Sequence, residues 1–242
     1  MTNEVKTKDT QKEVNIGEIL KNAWDLFIKN INLFIILGLI AVGLMLIPAI
    51  LTFFTGLSFA GLSGLTSMTA DSTGMPVVSG LFATVGVSSI ILISIVTLIV
   101  VTWMMAASTY AVYNVVSGKT VTAWDNYKLG LKKFWVFLGM SIVATFLVGI
   151  GLILLIIPGI IAAIFLSYAY YLLVAENLTI GKAISRSFEL AKRSWVSILV
   201  LVIILAAIGG VLGMIPVVNL IASPIMSIFG TLVIALLYGK VK

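Results

Sequence analysis

The stretch from residue 134 to residue 175 reads FWVFLGMSIVATFLVGIGLILLIIPGIIAAIFLSYAYYLLVA and contains no Lys, Arg, Asp or Glu. It is about twice as long as the ~20 apolar residues that carry a helix across a bilayer. Near its middle stands Ile157-Pro158-Gly159. Proline has no N–H to donate and disfavours helix at the residue before it, so a helix stops there and another starts with almost no loop. The stretch therefore predicts two antiparallel spans, 134–157 and 159–175.

The same pattern extends outward. Charge-free apolar runs also occupy 32–55, 88–116, 195–215 and 217–238, giving six in all. One charged side chain at a span centre costs about 2.5–3.5 kcal/mol on insertion scales, so its absence from all six favours spanning. The whole chain is 61% hydrophobic and 10% charged, with mean hydropathy +1.21. A soluble domain is roughly 45–50% apolar and about 25% charged, and could not cover this much apolar surface. The fold class is all-α: a polytopic bundle of six spans, arranged as three helical hairpins.

Each hairpin is preceded by a short amphipathic segment. In the first, Ile16, Ile19, Leu20, Ala23, Phe27 and Ile31 recur at helical spacing, with Glu18, Lys21, Asp25 and Lys29 between them. Residues 1–15 are polar and read as a flexible tail without a cleaved signal peptide. Residues 16–242 form one membrane domain with repeat-like units at 16–116, 120–176 and 177–238. The repeat is carried by Ala23-Trp24-Asp25 and Ala123-Trp124-Asp125, by Lys132-Lys133-Phe134-Trp135 and Lys192-Arg193-Ser194-Trp195, and by the Ile-Pro pairs at Pro48, Pro158 and Pro216. Pro48 lies within a longer apolar run and is expected to kink a helix rather than end it. The segment 56–79, rich in Gly, Ser and Thr, reads as an outer loop.

Charge distribution sets an orientation. All 15 basic residues lie in the tail with the first amphipathic segment, after the second span, after the fourth, and at the C-terminus. The intervening loops carry only Asp71. The positive-inside rule puts both termini in the cytoplasm, as expected for a cell-membrane protein. The same topology accounts for the net charge of +6, which is no sign of nucleic acid.

The inventory excludes much chemistry. Without His or Cys there is no imidazole base, thiolate nucleophile, disulfide or Cys/His zinc site, and nine scattered carboxylates make no paired arrangement. No enzyme activity and no cofactor is expected. The residues singled out for a polar role are Glu176, Asn177 and Arg186 beside the fourth span, and Asn219 near the start of the sixth. Trp24, Trp124, Trp195, Lys132, Lys133, Lys192 and Arg193 suit contact with anionic headgroups, each basic residue contributing about 1 kcal/mol near the surface. Small residues at four-residue spacing, Ser223/Ser227/Thr231, Ser141/Thr145/Gly149 and Gly209/Gly213, suit close helix packing.

The stretch Ile156-Ile157-Pro158-Gly159-Ile160-Ile161, the run Leu172 to Asn177, and Ala183-Ile184-Ser185-Arg186-Ser187-Phe188-Glu189-Leu190 up to Trp195 resemble a group of prokaryotic multipass proteins. That group is the membrane-domain family named for its occurrence beside glycerophosphoryl diester phosphodiesterases. Gly17-Glu18-Ile19-Leu20 to Trp24 resembles how these domains begin. The resemblance implies several spans and no independent activity, because the phosphodiesterase is a separate soluble barrel built on His and metal-binding carboxylates. The expected function is a non-enzymatic envelope module that contacts membrane lipids or binds a partner, either a second copy or another membrane protein. The alternative is a small transporter or channel for apolar or lipid-like solutes.

Overall fold

A computed structural model describes residues 15–69 and 76–242, and every element in them is an α-helix. The tail 1–14 and Asp71 lie outside the described residues. The order is α1 (Ile16–Lys29), α2 (Ile31–Thr69), α3 (Pro76–Val116), α4 (Ala123–Lys132), α5 (Phe134–Leu154), α6 (Ile156–Leu166), α7 (Ala169–Ala175), α8 (Ile180–Gly213) and α9 (Pro216–Val241). Six stretches are long and apolar enough to cross a membrane: Ile31–Ser58, Gly86–Val116, Phe134–Leu154, Ile156–Ala175, Ile180–Gly213 and Val218–Val241. The chain is a multipass helical membrane protein.

Helix starts follow local chemistry. Asn15 caps α1, its Oδ1 accepting the Glu18 N–H at 3.1 Å. Thr122 caps α4 by accepting the Asp125 N–H at 3.2 Å, while its hydroxyl donates to Asp125 Oδ2 at 2.6 Å. Each such cap satisfies a backbone N–H that has no partner within the helix.

Besides Leu155, which alone separates α5 from α6, three single-residue breaks organise the bundle. Asn30 (φ −113, ψ 24) separates α1 from α2, Lys133 (φ −107, ψ 14) separates α4 from α5, and Ser194 (φ −134, ψ 18) interrupts α8. Asn30 Nδ2 donates to Leu26 O at 2.9 Å and Ser194 Oγ to Leu190 O at 3.1 Å. Such side-chain bonds to the carbonyl four residues back perturb a helix locally. Burial keeps one register about all three breaks. Seven residues before them lie Ala23, Asn126 and Ser187, and three before lie Phe27, Gly130 and Ala191. Four after lie Phe34, Phe137 and Ile198, and seven after lie Leu37, Met140 and Leu201. All twelve are buried, so a helical stripe continues through each break into the core.

Several expectations need correction. Segment 56–79 is not a loop throughout: α2 runs to Thr69 and α3 begins at Pro76. Small polar residues are accommodated with their hydroxyls bonded back to the helix's own carbonyls, as Ser58 is to Phe54 O (2.8 Å). The turn expected at Pro158 lies at Leu155, which is extended (φ −163, ψ 146). Pro158 instead stands in the first turn of α6, where its missing N–H costs no helical bond. Pro216 opens α9, and Pro48 lies inside α2.

The close helix approaches use other glycines. A Cβ on Gly151 would lie 2.8 Å from Gly159 Cα, and one on Gly130 2.8 Å from Ala107 N. The α5–α6 hairpin and the crossing of α4 over α3 therefore bring backbone against backbone. Gly149, Gly209 and Gly213 have nothing within 4 Å of such a Cβ.

Candidate functional site

Two features stand out: an ionic cluster at the basic end of the bundle and a pair of apolar cavities above it. The cluster forms where α7 ends. Glu176 caps α7, and Asn177 takes a left-handed conformation (φ 53) that Asn tolerates better than most residues. Glu176 Oε1 accepts the Tyr238 hydroxyl at 2.7 Å and lies 3.9 Å from Arg186 Nε. Arg186 Nη1 binds Glu189 Oε2 at 2.6 Å, and Arg193 Nη2 binds Glu189 Oε1 at 3.1 Å. Lys133 Nζ donates to Asn177 Oδ1 and to Leu173 O at 3.5 Å.

Glu176, Asn177 and Arg186 thus come together, joined by Lys133 and by Tyr238, which sequence reading missed. Tyr238 is 62 residues from Glu176, and no spacing signals such a pair. Asn219 is exposed on α9, 19 residues before Tyr238 and thus about 28 Å away along the helix axis. It belongs to the other end.

Trp24, Trp124 and Trp195 are 56%, 55% and 50% exposed, so about half of each ring system remains open beyond the fold. Lys132, Lys192 and Arg193 are exposed beside them. Lys240 Nζ reaches Glu18 Oε1 at 2.9 Å, tying α9 to α1 at this end.

The first cavity, of about 420 Å³, is bounded by α2, α3 and α9 through Met45, Met104, Met105, Ser223, Pro224 and Ser227 among others. The second, of about 410 Å³, includes Met105, Thr109, Tyr170, Tyr171, Ser227 and Thr231. Met105 and Ser227 line both, so the two adjoin. From Leu220 in the first to Ile234 in the second, α9 rises about 21 Å. Neither wall contains a charged residue. Several hydroxyls are occupied within their own helices: Ser108 donates to Met104 O (2.8 Å), Thr109 to Met105 O (2.8 Å) and Thr231 to Ser227 O (2.9 Å). The walls present methyl, methylene and thioether groups, and flexible Met side chains adapt to irregular occupants. The stripe Ser223/Ser227/Thr231 faces these cavities.

Fold and site define the class of a multipass α-helical membrane protein with two adjoining, partly open apolar clefts. Compared with family models, curated proteins and solved structures, the chain matches none.

Proposed function

We propose that this protein is a non-enzymatic membrane module that holds the hydrocarbon tail of a lipid within its bundle while its basic end rests on the headgroups of the cytoplasmic leaflet. The observation that carries this reading is the adjoining pair of charge-free cavities. Each is within the ~300–1,000 Å³ range of ligand sites. Their combined rise of about 21 Å exceeds the ~15 Å of one hydrocarbon leaflet, so a full acyl chain fits lengthwise. A charged solute finds no counter-charge along these walls.

The three breaks support a companion reading. Residues sharing one burial register around Asn30, Lys133 and Ser194 are what three copies of one unit would give. We take each unit to be an interfacial amphipathic helix followed by a hairpin, with Trp24, Trp124 and Trp195 and their neighbouring Lys and Arg at the lipid surface. Both termini are assigned to the cytoplasmic side. The resemblance of 156–195 to the phosphodiesterase-associated membrane domains supports a module with no hydrolase of its own.

The test is native mass spectrometry of the protein gently extracted from its membrane. We expect a stoichiometric lipid, diminished at least fivefold in Ser227→Phe and in Met105→Trp, each of which fills the shared part of the cleft. Thermal melting of both variants separates lost binding from lost folding. Wild-type protein without lipid, or variants that keep theirs, would overturn the reading. Because the cavities adjoin, transport of lipid-like molecules is a second reading. It requires dequenching of a labelled lipid across proteoliposomes, above the rate in protein-free vesicles.

A further inference from the structure

Resting on the reading of the cleft as a tail site, we infer that the occupant's polar end is a phosphodiester bearing a primary ammonium, seated among Lys133, Glu176 and Arg186. A continuous chain of contacts leads there from the second cavity. Tyr171 lines that cavity, and its ring meets Tyr238 edge-on with centroids 5.4 Å apart. The Tyr238 hydroxyl donates to Glu176 Oε1 at 2.7 Å, and Arg186 Nε lies 3.9 Å from the same oxygen. Glu176 follows Tyr171 by five residues, about 7.5 Å of helical rise, which sets a headgroup just beyond the tail.

The cluster offers both signs, each with unused bonding capacity. Lys133 carries three N–H donors and uses two, on Leu173 O and Asn177 Oδ1. Arg186 has five N–H donors, and Glu189 occupies Nη1. An ionised carboxylate has about four lone-pair sites, of which Tyr238 fills one on Glu176. The Glu176 side chain is 22% exposed and that of Arg186 33%, so both remain reachable. Glu189 is held between Arg186 and Arg193, and Lys240 is paired with Glu18.

A phosphate without an amine would leave Glu176 sharing its paired cation, Arg186, with a second anion, and an amine without a phosphate would meet Arg186 and Lys133. A headgroup carrying both fits: phosphate oxygens toward the cations, ammonium N–H toward Glu176. A trimethylated ammonium has no N–H and loses the second contact.

The measurement equilibrates the full-length protein with micelles containing equal phosphatidylethanolamine, phosphatidylcholine and phosphatidylglycerol, then counts retained lipids by native mass spectrometry. Phosphatidylethanolamine is expected to exceed each of the others by about fivefold or more, the effect of one charge-assisted hydrogen bond. Glu176→Gln keeps an acceptor for Tyr238 and loses the charge. It should bring the ethanolamine-to-choline ratio to near one, and Glu176→Asp should restore part of the preference. Lipid retained without headgroup preference, or a preference unchanged in Glu176→Gln, would overturn the headgroup assignment and leave the tail site standing. No retained lipid would overturn both.

Discussion

At the scale of single residues, the α5–α6 hairpin rests on two glycines. Gly151→Ala places a methyl group 2.8 Å from the backbone of Gly159, where neither partner is the end of a flexible side chain. We expect a loss of about 1–3 kcal/mol, typical of overpacking. Gly149→Ala, two residues earlier and in open space, should leave melting in detergent within about 0.5 kcal/mol of wild type. Equal melting of the two variants would refute the backbone contact. This contact was not legible in the sequence. The stretch 134–175 contains several glycines, and only the Leu155 turn determines which two meet. Glu176 was legible as a lone carboxylate at a span end. Its partner Tyr238 was not, because the pairing depends on how α9 packs.

At the scale of elements, α4 is a short helix held by its start. Hydrogen bonds from Thr122, then from Lys128, and the Lys128 charge hold the exposed Asp125 carboxyl below its ordinary value. A carboxyl lowered in the folded state contributes stability that is full above its unfolded pKa, about 3.9, and is lost as pH falls through the lower folded value. The melting difference between wild type and Asp125→Asn should therefore be constant from pH 7 to about 5 and shrink below about 4. A difference that widens on acidification would contradict the capping role. The six spans were legible because charge avoidance leaves a strong signal in sequence. The spans read from the sequence start at 32, 134 and 195, one or two residues after Asn30, Lys133 and Ser194, but the non-helical geometry of those three residues was not legible, since one residue leaving helical geometry between two helical runs barely disturbs the hydrophobic period. The long outer helices were missed because Gly, Ser and Thr suggest a loop only where water competes for the backbone. Bonds such as Thr55 to Leu51 O at 2.9 Å show why such residues are tolerated here.

At the scale of the whole molecule, orientation is the next property to establish, and a chain without Cys makes it accessible. Ser67→Cys and Ser117→Cys, treated in intact cells with a membrane-impermeant maleimide, should label at 67 and not at 117. The opposite pattern would invert the bundle, sending the Glu176 cluster and the interfacial tryptophans to the outer leaflet.

The helices α2 and α3, of 39 and 41 residues, are about 58 and 61 Å long. Fitting either into a hydrocarbon layer of ~30 Å would take a tilt near 60°, beyond the 0–40° seen for transmembrane helices. Their surplus, 59–69 in α2 and 76–85 in α3, therefore extends beyond the candidate spans at the end where α2 leads into α3. A small protein of this kind is usually hidden inside its detergent belt in electron micrographs. Here the two helical extensions, both at one end of the bundle, are expected to supply a built-in fiducial, an asymmetric marker by which single particles can be aligned without a fused scaffold or an antibody fragment.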